Sequence, residues 1–351
     1  MRLAHFHRFA PRCPVCARAD RPDAALELHH VERRDSDDIL EGALVCPSPA
    51  CRFEYPILDG IPLLVPHLRD VLTSQLDAIR GADLSTYAES LLGDATGPGS
   101  EFDRVRYHLS TYGRSHWPAE ADGGPGSITA LLDAALDLLP SPPTGAWIDV
   151  GCSLGRSTFA LAARTGDLAL GLDLNLAMLR VARGVLRDGR ARYPLRRVGI
   201  VYERVDLAVD PPARERVDFW ACDATCLPLP EASAAGALSL NLLDCVNYPL
   251  AHLVELGRVV RPGGDALLST PYDWSPGATP VEAWIGGHSQ RAPHGGSSAS
   301  ELRRILSADD AAGAHTGLAI EAERDDVPWH VHVHERATMQ YRVHLARARR
   351  L

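Results

Sequence analysis

The feature that constrains this chain most is the segment W-I-D-V-G-C-S-L-G-R-S-T at residues 147–158. Residues 146–150 are apolar and predict a strand buried on both faces. Gly151 and Gly155 then predict a tight turn, and residues 156–164 predict a helix. Glycine permits φ > 0 and a close approach between backbone and ligand. Because such a turn presents N–H groups at a helix N-terminus, it predicts a ligand-binding site.

The residues of this turn exclude two common ligand-binding motifs. The dinucleotide fingerprint needs G-x-G-x-x-G, but Ser153 and Arg156 stand at its second and third glycines. A Walker A loop needs a lysine, and the chain contains none. The spacing D-V-G-C-x-x-G instead resembles motif I of the class I S-adenosylmethionine (SAM) methyltransferases. The alternative interpretation is an ordinary turn between a strand and a helix.

Further βα repeats extend this resemblance. Strands are predicted at 168–173, 217–222, 236–241 and 265–270. The turn before the last of them reads R-P-G-G, which is frequent in class I methyltransferases. The resemblance implies an α/β fold with a Rossmann-like, seven-stranded sheet.

SAM is the cofactor that this resemblance implies. Asp173 ends the second strand, where an acid can accept hydrogen bonds from both ribose hydroxyls. Asp223 follows the third strand and resembles the residue that binds the adenine amino group. Cys152 is expected near the cofactor and not as a nucleophile. The predicted cofactor-binding residues are Asp149, Gly151, Cys152, Ser153, Gly155, Arg156, Asp173, Leu174, Asp223, Ala224, Asn241 and Leu242.

Residues 1–68 contain two close cysteine pairs, Cys13 with Cys16 and Cys46 with Cys51. Pairs spaced in this way predict a tetrahedral structural zinc site with all four as ligands. The following stretch F-E-Y-P-I-L-D-G-I-P-L-L-V-P resembles the zinc-ribbon-like modules of the Trm112 family. Those modules activate methyltransferases or precede methyltransferase domains. The alternative is four reduced cysteines without metal.

A narrower resemblance begins after the fifth predicted strand, with T-P-Y-D-W and then T-P-V-E-A-W-I-G-G. Together with N-L-L-D at 241–244 and D-V-P-W at 326–329, these motifs resemble the C-terminal methyltransferase domain of ovothiol-synthesising enzymes. The resemblance implies methylation of a ring nitrogen of 5-thiohistidine. A selenium analogue and other small imidazoles stay open as substrates. The alternative function is an RNA or protein methyltransferase that grips a macromolecule with the zinc module.

Methyl transfer is an in-line displacement, so the accepting nitrogen needs a free lone pair and any proton on it must leave. A base must reach that proton directly or through one water. The candidate bases and orienting groups are Tyr107, His108, Tyr112, Asn241, Asp244, Tyr272 and Asp273.

Composition bounds the remaining expectations. The 36 basic and 45 acidic residues give a net charge of −9, which disfavours general nucleic-acid binding. The sequence shows neither a signal peptide nor a membrane-spanning apolar run, so a cytoplasmic location is expected. The resemblance implies a small-molecule substrate as the partner. The oligomeric state stays open.

We expect a zinc-binding module at 1–68, a helical linker at 69–127 that forms a lid or a packed helix, and a catalytic domain at 128–351. The arginine-rich insertion at 187–216 is predicted to be functional or to form a hairpin. The arginine-rich end at 342–350 is predicted to be a solvated tail.

Overall fold

The computed structural model describes residues 1–21, 24–75, 84–119 and 126–351. The strands are β1 (Glu27–Asp35), β2 (Asp38–Val45), β3 (Glu54–Leu58), β4 (Ile61–Leu64), β5 (Trp147–Val150), β6 (Ala169–Asp173), β7 (Arg190–Val198), β8 (Val201–Ala208), β9 (Val217–Cys222), β10 (Ala234–Leu240), β11 (Val260–Thr270), β12 (Leu318–His334) and β13 (Ala337–Arg350). The α-helices are α1 (Leu3–Phe9), α2 (Pro14–Arg18), α3 (Leu68–Ser74), α4 (Thr86–Thr96), α5 (Glu101–His116), α6 (Ser127–Leu136), α7 (Arg156–Thr165), α8 (Leu176–Asp188), α9 (Pro249–Val259), α10 (Ser298–Ile305) and α11 (Ala311–Thr316).

Within the described residues, eleven strands form one sheet in the order β1-β2-β3-β4-β9-β6-β5-β10-β11-β13-β12. Strands β9, β6, β5, β10 and β11 run parallel, whereas β13 pairs antiparallel with both β11 and β12. The part from β9 to β12 is the predicted Rossmann-like α/β sheet of seven strands, so this prediction is confirmed. The order of parallel strands reverses at β5, and ligands of open α/β sheets bind outside the carboxyl ends of strands at such a point.

Helices cover both faces of the sheet. On one face Leu267 and Leu345 lie in a core cluster with Leu131 and Leu132 of α6. On the other, Leu268 clusters with residues of α9 and α10. Strand β5 is buried at all four residues, which explains why its sequence is continuously apolar apart from Asp149.

The predicted solvated tail at 342–350 is wrong. These residues belong to β13, which lies between β11 and β12. Val343 and Leu345 are fully buried, and Arg347 is 7% exposed. Arg347 pairs with Glu321 and approaches Asp265 at 3.6 Å, so its charge is balanced inside the sheet. Because this segment is rich in arginine, its sequence did not indicate the buried strand that it forms.

The insertion after α8 forms the β7–β8 hairpin, one of its two predicted outcomes. The Tyr193 hydroxyl donates to the Trp117 carbonyl oxygen at 2.6 Å, which fixes the hairpin to the end of α5. The other predicted outcome, a functional role, stays a prediction.

The N-terminal strands continue the catalytic sheet. β1 to β4 are antiparallel neighbours, and β4 pairs parallel with β9 through Leu63 and Leu64. A buried ion network supports the junction, because Arg183 of α8 bonds Asp38 at 2.7 Å and Asp218 at 3.0 Å. Of the helices that the structure describes, none has the length and apolar character needed to cross a membrane.

Candidate active site and cysteine cluster

The glycine turn after β5 needs its glycines. Gly151 and Gly155 have φ of 79° and 81°, in the left-handed region. A Cβ at Gly151 would lie 2.9 Å from Leu242 Cδ1, and one at Gly155 would lie 2.6 Å from Phe219 Cζ. Ser153 also has a left-handed backbone, with φ of 51°. A larger residue at either glycine would therefore displace the turn from the strand ends.

Asp173 joins this turn to the next one. Its Oδ2 accepts the Ser153 N–H at 2.8 Å and its Oδ1 accepts the Asn175 N–H at 2.8 Å. Burial raises the pKa of Asp173, and these backbone hydrogen bonds oppose the rise. Leu174, the next residue, is 41% exposed. The predicted ribose ligand thus also holds together the two turns beside it.

Asp149 faces the helix that follows the turn. Its Oδ2 accepts hydrogen bonds from the Ser157 hydroxyl at 2.7 Å and the Thr158 hydroxyl at 2.6 Å. Burial raises its pKa to about 6. Cys152 is fully buried within the same turn. These contacts give Asp149 a part in fixing α7 against β5.

Two residues that sequence reasoning missed hold the start of α7. The Arg156 N–H donates to His116 Nδ1 at 3.3 Å, and the Arg156 guanidinium lies 4.8 Å from the Trp117 ring centroid. The Trp117 indole N–H donates to the Leu154 carbonyl oxygen at 2.9 Å. The carboxyl end of α5 is therefore anchored on the glycine turn. The adjacent aromatic pair H-W was the only local signal of this role.

The turn after β9 is held by a buried histidine. Asp223 Oδ1 accepts the Thr225 N–H at 2.8 Å and its hydroxyl at 2.6 Å. His252 of α9 lies 3.2 Å from the Ala224 carbonyl oxygen and 2.9 Å from Ser239 Oγ. Burial lowers the pKa of His252 to about 4, so the ring is neutral near pH 7. A single histidine in an amphipathic helix carries no sequence signal for this contact.

The exit of β10 holds two buried polar atoms that lack a partner among the described residues, Asn241 Nδ2 and Asp244 Oδ1. Asn241 has a left-handed backbone, with φ of 53°, and its Oδ1 accepts the Ser269 hydroxyl at 2.8 Å. Asp244 is 2% exposed, and its Oδ2 accepts the Asp273 N–H at 2.6 Å. Burial raises the pKa of Asp244 to about 6. A hydrogen-bond donor, Asn241 Nδ2, and a hydrogen-bond acceptor, Asp244 Oδ1, thus lie three residues apart. These two atoms are called the acceptor pair below.

Aromatic side chains lie near the acceptor pair. The Tyr341 hydroxyl donates to Asp273 Oδ2 at 2.8 Å, and the Tyr341 ring stacks on Trp329 at 5.2 Å. Burial raises the pKa of Tyr112 of α5, and the charges of Cys245 and Asp244 add to the rise. Four candidate catalytic residues therefore lie at the ends of β10 and β11, whereas Tyr112 lies on α5; the four are Asn241, Asp244, Tyr272 and Asp273.

The other two catalytic candidates lie elsewhere on α5. The Tyr107 ring stacks against the Arg196 guanidinium of the β7–β8 hairpin at 5.2 Å. His108 is exposed, one helical turn before Tyr112. Trp274 and Trp284, the tryptophans of the two T-P motifs, stack on each other with their ring centroids 6.0 Å apart.

The cysteine cluster comprises Cys13, Cys16, Cys46 and Cys51, whose sulfurs all lie within 4.8 Å of one another. Cys13 and Cys51 are 3.8 Å apart, and Cys16 and Cys46 are 3.7 Å apart. Tetrahedral zinc with Zn–S bonds of about 2.3 Å separates its sulfurs by about 3.8 Å. The Cys16 N–H also points at Cys13 Sγ, at 3.4 Å. The four residues therefore fit a closed, structural zinc site.

The cluster lies beside the turn after β9. The Cys226 thiol is 3.8 Å from the Pro14 carbonyl oxygen, and the Arg12 N–H donates to the Pro228 carbonyl oxygen at 2.9 Å. Arg18, at the end of α2, lies 3.9 Å from Asp223 Oδ2. The first cysteine pair thus contacts the segment that Asp223 begins.

Comparison with known proteins agrees with this geometry. Residues 148–268 match the family model described as a methyltransferase domain. A search of curated protein sequences finds no match.

Solved structures that match the chain include a complex between the Haloferax volcanii Trm112 methyltransferase activator and a methyltransferase, at 16% identity and a TM-score of 0.39, with 62% of this chain and 88% of the matched chain covered. Geranyl diphosphate methyltransferase has 18% identity and a TM-score of 0.40, with 64% and 78% covered. The [4+2]-cyclase SpnF has 15% identity and a TM-score of 0.40, with 81% and 94% covered. These similarities are too distant to identify a substrate.

The family match, the strand order and the glycine turn define the class of protein. The chain contains a class I methyltransferase domain and is a SAM-dependent methyltransferase.

Proposed function

We propose that this methyltransferase acts on a ring nitrogen of a small histidine-derived molecule, 5-thiohistidine or its selenium analogue. The observation that carries the proposal is the acceptor pair, Asn241 Nδ2 and Asp244 Oδ1, which has no partner among the described residues. A buried polar group without a partner costs about 1–3 kcal/mol. A ligand that supplies both missing partners therefore gains affinity and orientation.

The chemistry of a chalcogen-bearing imidazole matches the acceptor pair. Its sulfur or selenium anion accepts a hydrogen bond from Asn241 Nδ2, and one ring N–H donates to Asp244 Oδ1. The other ring nitrogen is then free to face the methyl donor. Tyr112, Trp329 and Tyr341 supply apolar surface near the pair, and small-molecule sites combine such surface with a few placed polar groups. The sequence resemblance to ovothiol-synthesising enzymes selects this substrate class among small imidazoles.

Asp173 and Asp223 supply the polar contacts proposed for the cofactor, at the ribose and the adenine amino group. When bound, SAM supplies an electrophilic methyl group on a sulfonium. The glycine turn fixes the direction from which SAM approaches the strand ends, because the Ser153 N–H donates to Asp173. In-line transfer needs an acceptor within about 3–3.5 Å of the methyl carbon.

We further propose that the cysteine cluster binds one zinc ion and that residues 1–68 form a Trm112-like module. The sulfur separations support tetrahedral coordination. Four protein ligands leave no open position, so the role of the metal is to stabilise the module and not to catalyse the reaction.

The direct test is incubation of the protein with SAM and 5-thiohistidine, followed by mass spectrometry. We expect a gain of about 14 Da, one CH₂, on the small molecule, as in-line methyl transfer requires. Parallel reactions contain histidine, total RNA or an unfractionated protein mixture. Methylation of RNA or protein alone would contradict the proposal and support the macromolecular alternative. The same assay is also run on the variant Asp244→Asn, which removes the charge of the acceptor pair. Asp188→Ala, at the exposed end of α8, is its control.

A further inference from the structure

A chain of hydrogen bonds leads from the turn after β11 to the protein surface. The Tyr272 hydroxyl lies 2.6 Å from His344 Nδ1, and His344 Nε2 lies 3.1 Å from Glu323 Oε2. Glu323 pairs with Arg303 at 2.9 Å. The His344 side chain is 3% exposed, whereas those of Glu323 and Arg303 are 35% and 39% exposed. The chain therefore connects a buried position to water.

The partners determine where the protons lie. Burial tends to raise the pKa of Glu323, but hydrogen bonds from Arg303 and His344 outweigh it and the pKa is lowered. An ionised carboxylate only accepts hydrogen bonds, so His344 Nε2 must carry a hydrogen. In a neutral ring Nδ1 is then the acceptor, and Tyr272 must donate to it. Each group is thus arranged to pass a proton outward.

Tyr272 lies in the turn that surrounds Asp244. Its N–H donates to Thr270 Oγ1 at 3.0 Å, and the N–H of the next residue, Asp273, donates to Asp244 Oδ2. The backbone of Tyr272 is left-handed, with φ of 57°. Such a conformation in a non-glycine residue costs about 1–3 kcal/mol and is concentrated at functional sites. The backbone that carries the phenol is therefore joined directly to the residue whose N–H Asp244 binds, while the hydroxyl itself contacts His344.

We infer that Tyr272 takes the proton of the methyl-accepting nitrogen and that His344 and Glu323 pass it to water. The inference rests on the proposed function, because it requires an acceptor with an N–H group. A chalcogen anion makes its imidazole ring more basic, so both ring nitrogens are protonated. Asp244 holds one N–H in place, and the nitrogen under attack must lose the other.

The atoms and charges balance in this step. The nitrogen lone pair, freed as the N–H bond breaks, forms the new N–C bond. The bond between the methyl carbon and sulfur breaks, with its electron pair going to sulfur. The proton moves to the Tyr272 oxygen while the Tyr272 proton moves to His344 Nδ1. The imidazolium formed is stabilised by Glu323 and then releases its Nε2 proton to water. Tyr272 is the catalytic residue, and His344 and Glu323 act through it.

The charged and titratable groups around this chain come from four parts of the fold. They are Tyr272 after β11, Asp244 after β10, Glu323 and Asp325 on β12, and Arg303 on α10.

Kinetics of matched variants test the inference. Tyr272→Phe and His344→Gln should each lower kcat about 100-fold, the usual contribution of a proton-transfer group. Because the residues act as one unit, the double variant should be no slower than the slower single variant. His315→Gln, at an exposed position of α11, should retain the wild-type rate. Multiplicative losses in the double variant would overturn the inference.

Solvent isotope effects separate proton transfer from simple positioning. In mixtures of H₂O and D₂O, the wild type should show contributions from more than one transferred proton. His344→Gln should show a contribution from only one transferred proton. An identical isotope response in the two proteins would mean that His344 only supports the Tyr272 ring, and the inference would fail.

Nitrogen-15 NMR of histidine tautomers tests the chain without any acceptor present. The His344 signal is identified as the one that disappears in His344→Gln. It should show a hydrogen on Nε2 and none on Nδ1. A hydrogen on Nδ1 would overturn the inference whatever the substrate. A wild-type protein that leaves 5-thiohistidine unmethylated would contradict the proposed function and leave this NMR result intact, so the two failures are distinguishable.

Discussion

The cysteine cluster and the exit of β10 are both polar sites within an apolar fold, but their polar atoms face different partners. In the cluster, four sulfurs converge on one point and fit one ion. At the exit of β10, Asn241 Nδ2 and Asp244 Oδ1 are buried without a partner among the described residues. The first arrangement is complete with a metal and suits stabilisation. The second leaves one buried donor and one buried acceptor available to an incoming molecule, and suits recognition.

Left-handed backbone occurs in both regions, and in the cysteine module Arg52, directly after Cys51, has a φ of 53°. Ser153, Asn241 and Tyr272 have left-handed φ values of 51°, 53° and 57°, and each lies within three residues after the end of a central strand. Strain of this kind persists where the surrounding structure over-determines the conformation, and it clusters at active sites. The three turns lie along the same edge of the sheet, where the parallel strands have their carboxyl ends. It is therefore the converging sulfurs and the unpartnered polar atoms, and not the backbone conformation, that assign stability to the cluster and chemistry to that edge.

The largest expected effect is on stability. Cys46→Ser should abolish zinc binding, and zinc in small structural sites contributes about 10 kcal/mol or more. Since β4 joins β9, we expect loss of several kcal/mol and a fall in Tm of about 10 °C or more. Metal content and thermal unfolding measure this. Cys245→Ser, outside the cluster, should keep both the zinc and the Tm. Equal Tm values for the two variants would remove the structural role of the cluster.

The next effect falls on turnover and its pH dependence. Asp244→Asn should lower kcat/KM about 100-fold, because a charged hydrogen-bond partner contributes up to about 3 kcal/mol. Burial raises the pKa of Asp244 to about 6, so the carboxylate is protonated below that pH and can no longer accept the ring N–H. Wild-type kcat/KM should therefore fall as the pH drops through about 6. The pH profile of Asp244→Asn should lack this acidic limb, that is, the fall in kcat/KM at low pH. If the limb persists unchanged, another group such as Asp149 causes it.

A smaller effect concerns the cofactor. Asp173→Ala should weaken SAM binding by about 2 kcal/mol, or about 30-fold, through loss of charged hydrogen bonds. Calorimetry with the exposed control Asp188→Ala measures this difference. The Tm and zinc content should change little by comparison with Cys46→Ser. Unchanged SAM affinity would contradict the ribose assignment.

The smallest effect tests whether the two sites are separate. Arg18 lies 3.9 Å from Asp223 and both side chains are partly exposed, so their ion pair is worth less than about 1 kcal/mol. Arg18→Ala should change SAM affinity less than about fivefold by calorimetry. A larger loss would make the zinc module part of the cofactor site.

Local patterns predicted much of this molecule. The glycine turn, the acid after each strand and the two cysteine pairs are short-range features, and the Rossmann-like sheet follows from their order. The role of β13 was missed because the charges of Arg347 and Arg349 are balanced by Asp265 and Glu321, which lie far away in sequence.

Contacts between distant elements account for the rest. His252 meets Ala224, and His344 meets Tyr272, only through packing across the sheet. The acceptor pair was predicted by residue type, but whether its atoms have partners depends on the complete packing around β10. Only the tertiary structure shows that Tyr112 packs against the core, whereas His108, one turn earlier on the same helix, is exposed.

The central claim, that the acceptor pair selects a chalcogen-bearing imidazole, is tested most directly by the ratio of kcat/KM for 5-thiohistidine to that for histidine in the zinc-loaded protein. Histidine lacks the anion that Asn241 would bind, and a site built around a polar partner discriminates strongly against a ligand without it. We predict a ratio of at least about 100, falling markedly in Asn241→Ala. Equal values for the two substrates would contradict the account.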